Sequence, residues 1–246
     1  MQKTPEQIEA QRAGGKILAQ VLADLRDFAA PGVTGLEIND FVAQKLKAAG
    51  AEPSYTLEAP TFPGVICISI NNAFIHGIPT PDPLEQGDKV SFDLSICYHG
   101  MNVDSAFTMI VGRPPDAREN HLIETTKAAF FAGVKGLKAG STTGDIGYRV
   151  GQTIKRGKLG VITDFIGHGI GVSMHEKPEV PNFGRPGEGA ILEVGQTICI
   201  EPMVSLGSTK TRIADDGWTV LLNTLGAHYE HTVLITEDGH EILTEL

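Results

Sequence analysis

Two ten-residue stretches decide the fold: Leu84-Glu85-Gln86-Gly87-Asp88-Lys89-Val90-Ser91-Phe92-Asp93 and Leu192-Glu193-Val194-Gly195-Gln196-Thr197-Ile198-Cys199-Ile200-Glu201. Both read L-E-x-G-x-x-aliphatic-x-apolar-acid, and their terminal acids, Asp93 and Glu201, stand 108 residues apart. A second echo lies upstream of each, in Thr34-Gly35-Leu36-Glu37-Ile38 and Thr143-Gly144-Asp145-Ile146, 109 residues apart. Two registers that agree within one residue imply a chain built from two pseudo-equivalent halves.

Outward from these stretches, each half opens with helix signals. Thr4-Pro5-Glu6-Gln7 has an N-cap, a proline at the first helical position and a capping-box glutamine. Ile17, Leu18, Val21, Leu22 and Leu25 then recur at helical spacing until Pro31-Gly32. Thr34 and Glu37 form another capping box, and Phe41, Val42 and Leu46 carry the apolar face to Gly50. After Pro114-Pro115 the plan returns, with a helix through Leu122, Ile123, Phe130, Val134 and Leu137 to Gly140 and another opening at Thr143. The expected fold is α+β and pseudo-two-fold, a mostly antiparallel sheet with helices packed on one face. Residues 1–246 are expected to form a single domain whose halves span about 1–112 and 113–246.

With 246 residues and 41% hydrophobic content the chain can bury a large core. A formal net charge of −10 argues against nucleic acid or an anionic membrane as partner, since both select basic surfaces. Cys67, Cys97 and Cys199 are odd in number and form no C-x-x-C pair, which speaks against a disulfide framework and for a reducing compartment. The N-terminus lacks the apolar stretch of a signal peptide, so a cytoplasmic location is expected.

The chemistry gathers around acids in apolar strands. Val90, Phe92, Leu94 and Ile96 alternate with Ser91, Asp93, Ser95 and Cys97, so Asp93 points away from the apolar face. Val103, Ser105, Phe107, Met109 and Val111 alternate likewise, with Asp104, Ala106 and Thr108 opposite. A hairpin turning at Tyr98-His99 sets Asp93 directly across from Asp104, an arrangement that repels unless a cation lies between. Glu201 ends a strand stopped by Pro202, and Glu230 begins the run His231-Thr232-Val233-Leu234-Ile235; carboxylates so embedded are costly unless paired or metal-bound. His168 sits in a loop, Phe165-Ile166-Gly167-His168-Gly169-Ile170-Gly171, whose glycines let another backbone approach closely. His76 and His175 are further imidazoles, each weak evidence alone. Four carboxylates and one imidazole suit borderline divalent ions such as Co, Mn, Fe or Zn, and two such ions would leave the site near neutral.

Taken in order, Ile75-His76-Gly77-Ile78-Pro79, Asp93, Asp104, Gly167-His168-Gly169-Ile170-Gly171, His175-Glu176-Lys177-Pro178, Glu201-Pro202 and Tyr229-Glu230-His231-Thr232 resemble the type I methionine aminopeptidases, a family of pita-bread fold. The resemblance implies a dinuclear metallo-exopeptidase that removes N-terminal methionine before a small second residue. It implies Asp93, Asp104, His168, Glu201 and Glu230 as ligands of two divalent ions, with Asp104 and Glu230 bridging. His76 and His175 would contact substrate and stabilise the tetrahedral intermediate, and Glu201 would shuttle the proton. Phe62, Cys67, Met174 and Trp218 match positions in or beside the methionine pocket. The implied partners are peptide or nascent-protein N-termini, with a transient ribosome association compatible with that role, no nucleic-acid specificity, no membrane, and a monomeric enzyme. Departures fall on the pocket: Ala59-Pro60-Thr61-Phe62-Pro63 replaces an aromatic-rich segment, Met174 replaces a common aromatic, and Val103-Asp104-Ser105-Ala106-Phe107 reads closer to type II wording. The rivals are an X-Pro peptidase of the same fold and a noncatalytic binding protein that kept it.

Overall fold

A computed structural model describes residues 2–245. The first helix, Pro5–Phe28, starts at Thr4, where Gln7 N donates to Thr4 Oγ1 and Thr4 N donates to Gln7 Oε1. Thr34 and Glu37 cap the second, Gly35–Ala49, in the same reciprocal way, and Gly50 ends it in the left-handed region at φ 69°. After a short third helix, Ser54–Glu58, the fourth, Ala117–Val134, stops short of the expected Gly140 because the chain departs from helical geometry at Lys135 and Gly136, where φ is 70°. Leu137 is nonetheless fully buried, so its periodic position reflects packing from a loop.

The fifth helix, Thr143–Arg156, is capped by Thr142, one residue before the expected corner, with Asp145 closing the box. This removes the one-residue mismatch. Thr34 and Thr142 are 108 residues apart, as are Asp93 and Glu201. Backbone bonds repeat at that offset: Gly32 N donates to Leu84 O and Gly140 N to Leu192 O, while Leu84 N donates to Val33 O and Leu192 N to Ser141 O. The pseudo-two-fold is therefore written into the hydrogen bonds.

Both helix pairs cover one face of a nine-stranded sheet in which every pairing is antiparallel. Its middle strands run in the order Lys89–Tyr98, Met101–Ile110, Glu230–Ile235, Thr197–Ile200 and Gly167–Gly169. Leu18, Leu22 and Leu25 with Ile38 and Val42 pack on Phe92, Leu94 and Val103, while Phe130, Ile146 and Val150 pack on Ile198, Ile200 and Val233. Each such buried side chain contributes roughly 1.5–3 kcal/mol, and several are needed to offset the polar groups held on the other face. Among the described residues no helix is long and apolar enough to cross a membrane.

The hairpin register differs from expectation by two residues. His99 and Gly100, both at positive φ (49° and 76°), form the turn, and Tyr98 pairs with Met101. Two central residues at positive φ make a primed turn, whose twist matches that of the strands. Asp93 consequently faces Ala106 and Asp104 faces Ser95, instead of each other. Because the side-chain period is two, this shift keeps both acids on the expected face.

The same strand buries Lys89, whose Nζ donates to the carbonyls of Ala73 (2.9 Å) and Ser69 (3.4 Å). Burial pushes its pKa down from 10.5 to about 7. Between those values the unfolded chain holds a proton that the folded chain lacks, so stability is expected to rise with pH from about 7 to 10.5, by up to about 1.4 kcal/mol per pH unit. Lys89→Met should flatten that slope in urea melts across this range; an unchanged slope would refute burial of a neutral amine.

Candidate metal centre

On the face away from the helices, the register writes a row of side chains across the sheet. Asp93 pairs with Ala106 and Ala106 with Glu230. His231 pairs with Ile200, so Glu201 continues the row beyond Glu230. Asp104 lies two residues from Ala106 and so shares its face. The small methyl of Ala106 in a row of acids leaves the space that the carboxylates border. Ligand atoms of Asp93, Asp104 and Glu230 lie within 4.8 Å of one another, as do those of Glu201, His228 and Glu230 and those of His168, Cys199 and Glu230.

Each acid is fixed through its backbone. Asp104 N donates to Thr232 Oγ1 (2.8 Å), and that hydroxyl donates back to Asp104 O (3.0 Å). Ser105 Oγ donates to Glu230 O, and the buried Asn182 Nδ2 donates to Glu201 O. His168 lies on a short strand, Gly167–Gly169, instead of a loop, because Gly167 permits a near approach: a Cβ there would sit 2.3 Å from Cys199 O. His168 Nδ1 donates to Gly169 O at 2.9 Å, which leaves Nε2 bare and 3.6 Å from Glu201 Oε1. A ring held at one nitrogen with the other aimed at carboxylates is the arrangement of a metal-ligating histidine.

The electrostatics ask for a cation. Burial, followed by the neighbouring charges, raises the pKa values of Asp93, Glu201 and Glu230 well above the usual carboxylate range, and burial also raises that of Asp104. Asp93 Oδ1, Asp104 Oδ1 and Glu230 Oε1 are buried without a hydrogen-bond partner. Buried carboxylate oxygens so placed cost several kcal/mol unless ionic partners replace the lost water. The donor set of hard oxygens and one imidazole fits a borderline divalent ion.

The remaining expected residues converge on the same place. His76 follows the strand Ala73–Ile75 at φ 56°, a strained conformation for a non-glycine residue of the kind that collects at functional sites. Burial, with smaller effects from His228 and His175, holds its pKa near 4, so its imidazole is neutral at neutral pH. The His175 ring stands edge-on to His168, 4.3 Å between centroids. Its segment is tied down on both sides: Met174 N donates to Glu58 Oε1 (2.6 Å), and Glu176 Oε2 pairs with Lys3 Nζ at 2.7 Å.

Phe62, Cys67 and Met174 form a buried apolar group with Tyr55, and Trp218, Ala59 and Ile78 pack against it. Trp218 meets Phe62 edge-on at 5.3 Å, and Tyr55 lies 4.9 Å from Phe62. Cys67 pairs directly with Asp93, which puts this group beside the carboxylate row. Tyr55, Asn182 and His228 are not among the site residues expected from the sequence, and Thr232 is expected there only as part of a strand. The signal for His228 was available: two residues before Glu230 in an extended chain, a side chain points to the same face. The three cysteines are free thiols.

Residues 9–237 match metallopeptidase family M24. A methionine aminopeptidase of Mycoplasma capricolum subsp. capricolum is 41% identical over 245 residues, 99% of this chain and 97% of that one. Among solved structures, a methionine aminopeptidase from Thermotoga maritima superposes with a TM-score of 0.96 at 36% identity, covering 100% of this chain and 99% of that one. A prolidase from Pyrococcus furiosus superposes at 0.80 with 26% identity, covering 100% of this chain but 65% of that one. These likenesses share the pita-bread fold expected above, and they run the length of a chain whose acids and imidazoles gather on one face: it belongs to metallopeptidase family M24 and, within it, to the methionine aminopeptidases.

Proposed function

We propose that this chain removes methionine from peptide and nascent-protein N-termini when the second residue is small, using two divalent ions held by Asp93, Asp104, His168, Glu201 and Glu230. The observation that carries this reading is the apolar group of Tyr55, Phe62, Cys67, Met174 and Trp218 beside a row of partnerless buried carboxylates. Four carboxylates against two dications are close to neutral; Glu230 belongs to all three groups of mutually near ligand atoms and shares one of them with Asp104, and these two would be the ligands common to both ions. Co, Mn, Fe or Zn would suit these donors, activating a water and polarising the scissile carbonyl when bound.

The protein's own groups do the rest. The apolar cup takes the unbranched thioether of the first residue and orients the peptide bond over the row. Glu201, at the end of the carboxylate row, accepts a proton from the attacking water and delivers it to the departing amine. His175 and the neutral His76 donate hydrogen bonds to the carbonyl oxygen and the amide region as charge develops there. His76, His175 and Glu201 each adjoin the end of a strand, Ala73–Ile75, Glu176–Val180 and Thr197–Ile200, which anchors them before substrate arrives.

Measuring kcat/KM for Met-Ala-Ser, Leu-Ala-Ser, Met-Phe-Ser and Ala-Pro-Ser on stripped protein reloaded with each metal tests the reading. Met-Ala-Ser should be the best substrate. Because Ala59 and Met174 give a softer wall than aromatic rings, Leu-Ala-Ser should be only about 10-fold slower, the low end for a shape change in an apolar pocket. Preference for Ala-Pro-Ser would assign the X-Pro activity instead, and no cleavage with any metal would favour a noncatalytic role.

A further inference from the structure

Both ring nitrogens of His228 are buried without a hydrogen-bond partner. It ends the short strand Gly226–His228, and its backbone is clamped by Thr108, whose Oγ1 accepts from His228 N (3.0 Å) and donates to His228 O (2.9 Å). The side chain, 2% exposed, cannot swing out to solvent. Its Nε2 lies 3.5 Å from Glu201 Oε2 and 3.5 Å from Glu230 Oε2.

We propose that His228 is a positioning residue, whose Nε2–H is shared by Glu201 Oε2 and Glu230 Oε2 and holds these two carboxylates in the orientation the metal centre needs. This rests on the assignment of that centre in the preceding section. The contrast with His168 carries it. A ligand imidazole donates its far nitrogen to a fixed acceptor, as His168 Nδ1 does to Gly169 O. His228 Nδ1 has no acceptor, so the tautomer with a bare Nε2 would bury an N–H with nothing to receive it. The opposite tautomer leaves only a lone pair unpartnered and turns its N–H towards two carboxylate oxygens. Closing either separation by about 0.3–0.8 Å gives an ordinary charge-assisted hydrogen bond. Glu201, as proton carrier, and Glu230, as bridge, would then share one donor, so His228 couples the orientation of both.

The test compares wild type, His228→Leu and His228→Gln, loaded with cobalt. X-ray absorption of the wild type should count one coordinated imidazole per protein, His168. His228→Leu should bind cobalt about 10- to 100-fold more weakly by calorimetry, the range for losing an outer hydrogen bond to a ligand, and should lower kcat with little change in KM. His228→Gln, whose amide N–H can reach the same oxygens, should restore both. Two coordinated imidazoles in the wild type would overturn the proposal in favour of direct ligation, and this count needs no variant to fold. Equal losses in the Leu and Gln variants, with melting temperatures unchanged, would also overturn it. Failure of wild type to bind stoichiometric cobalt would instead sink the assignment of the centre, and this inference with it.

Discussion

Asp104→Asn is expected to lose metal and activity together, with kcat/KM falling on the order of 10³-fold or more. That scale is set by the 10²–10³ associated with one group acting on developing charge, added here to the loss of the ions themselves. The substitution is nearly isosteric, and the backbone at Asp104 is held by Thr232 through bonds that do not involve the side chain. The fold should therefore persist. What changes is charge: an amide oxygen is a poor bridge between two cations, and one of four negative charges is gone.

The metal-free proteins should respond in the opposite sense. Without ions the four buried carboxylates oppose one another, so removing one charge should raise the melting temperature of the stripped variant above that of stripped wild type. Added metal at about 100 times its Kd should stabilise wild type by about 2.7 kcal/mol and leave the variant almost unmoved. Stoichiometric metal retention with normal turnover would refute Asp104 as a ligand.

The fold was legible because its signals are local and repeated. Capping boxes at Thr4 and Thr34 and the paired L-E-x-G stretches each rest on a handful of adjacent residues. The hairpin register was misread because His99-Gly100 lacks the Asn-Gly or Asp-Gly signature of a primed turn, and only the backbone reveals His99 at positive φ. Parity survived the error, so the acids Asp93 and Asp104 were found on the right face although not opposite each other.

Residues defined by tertiary partners were harder to see, whether the partner lies 128 positions away, as for Thr232 and Asp104, or across a short helix. Thr232 matters because its hydroxyl completes the pairing of Asp104 across strands, and Tyr55 because the segment Ser54–Glu58 coils into a short helix that turns its ring onto Phe62. Neither distance nor coil appears in a pattern of alternating hydropathy. Acids in apolar strands declare themselves, since burying charge is costly; the polar groups that orient them look ordinary until the strands are paired.

His175→Ala is expected to separate chemistry from metal binding. The His175 ring touches His168 edge-on but belongs to a different tether, the segment fixed by Glu58 and by the Lys3–Glu176 ion pair. Removing it takes away a donor near the row without removing any of the five proposed ligands. Metal content should stay at the wild-type value by elemental analysis, while kcat falls about 10²- to 10³-fold, the typical effect of deleting one donor to a developing oxyanion. KM should change little, because a bond that forms only as charge develops contributes little to ground-state binding. Loss of either ion would make His175 a ligand and reverse this assignment. A large rise in KM with kcat retained would instead place its contact in substrate binding, leaving His76 as the imidazole facing the developing charge.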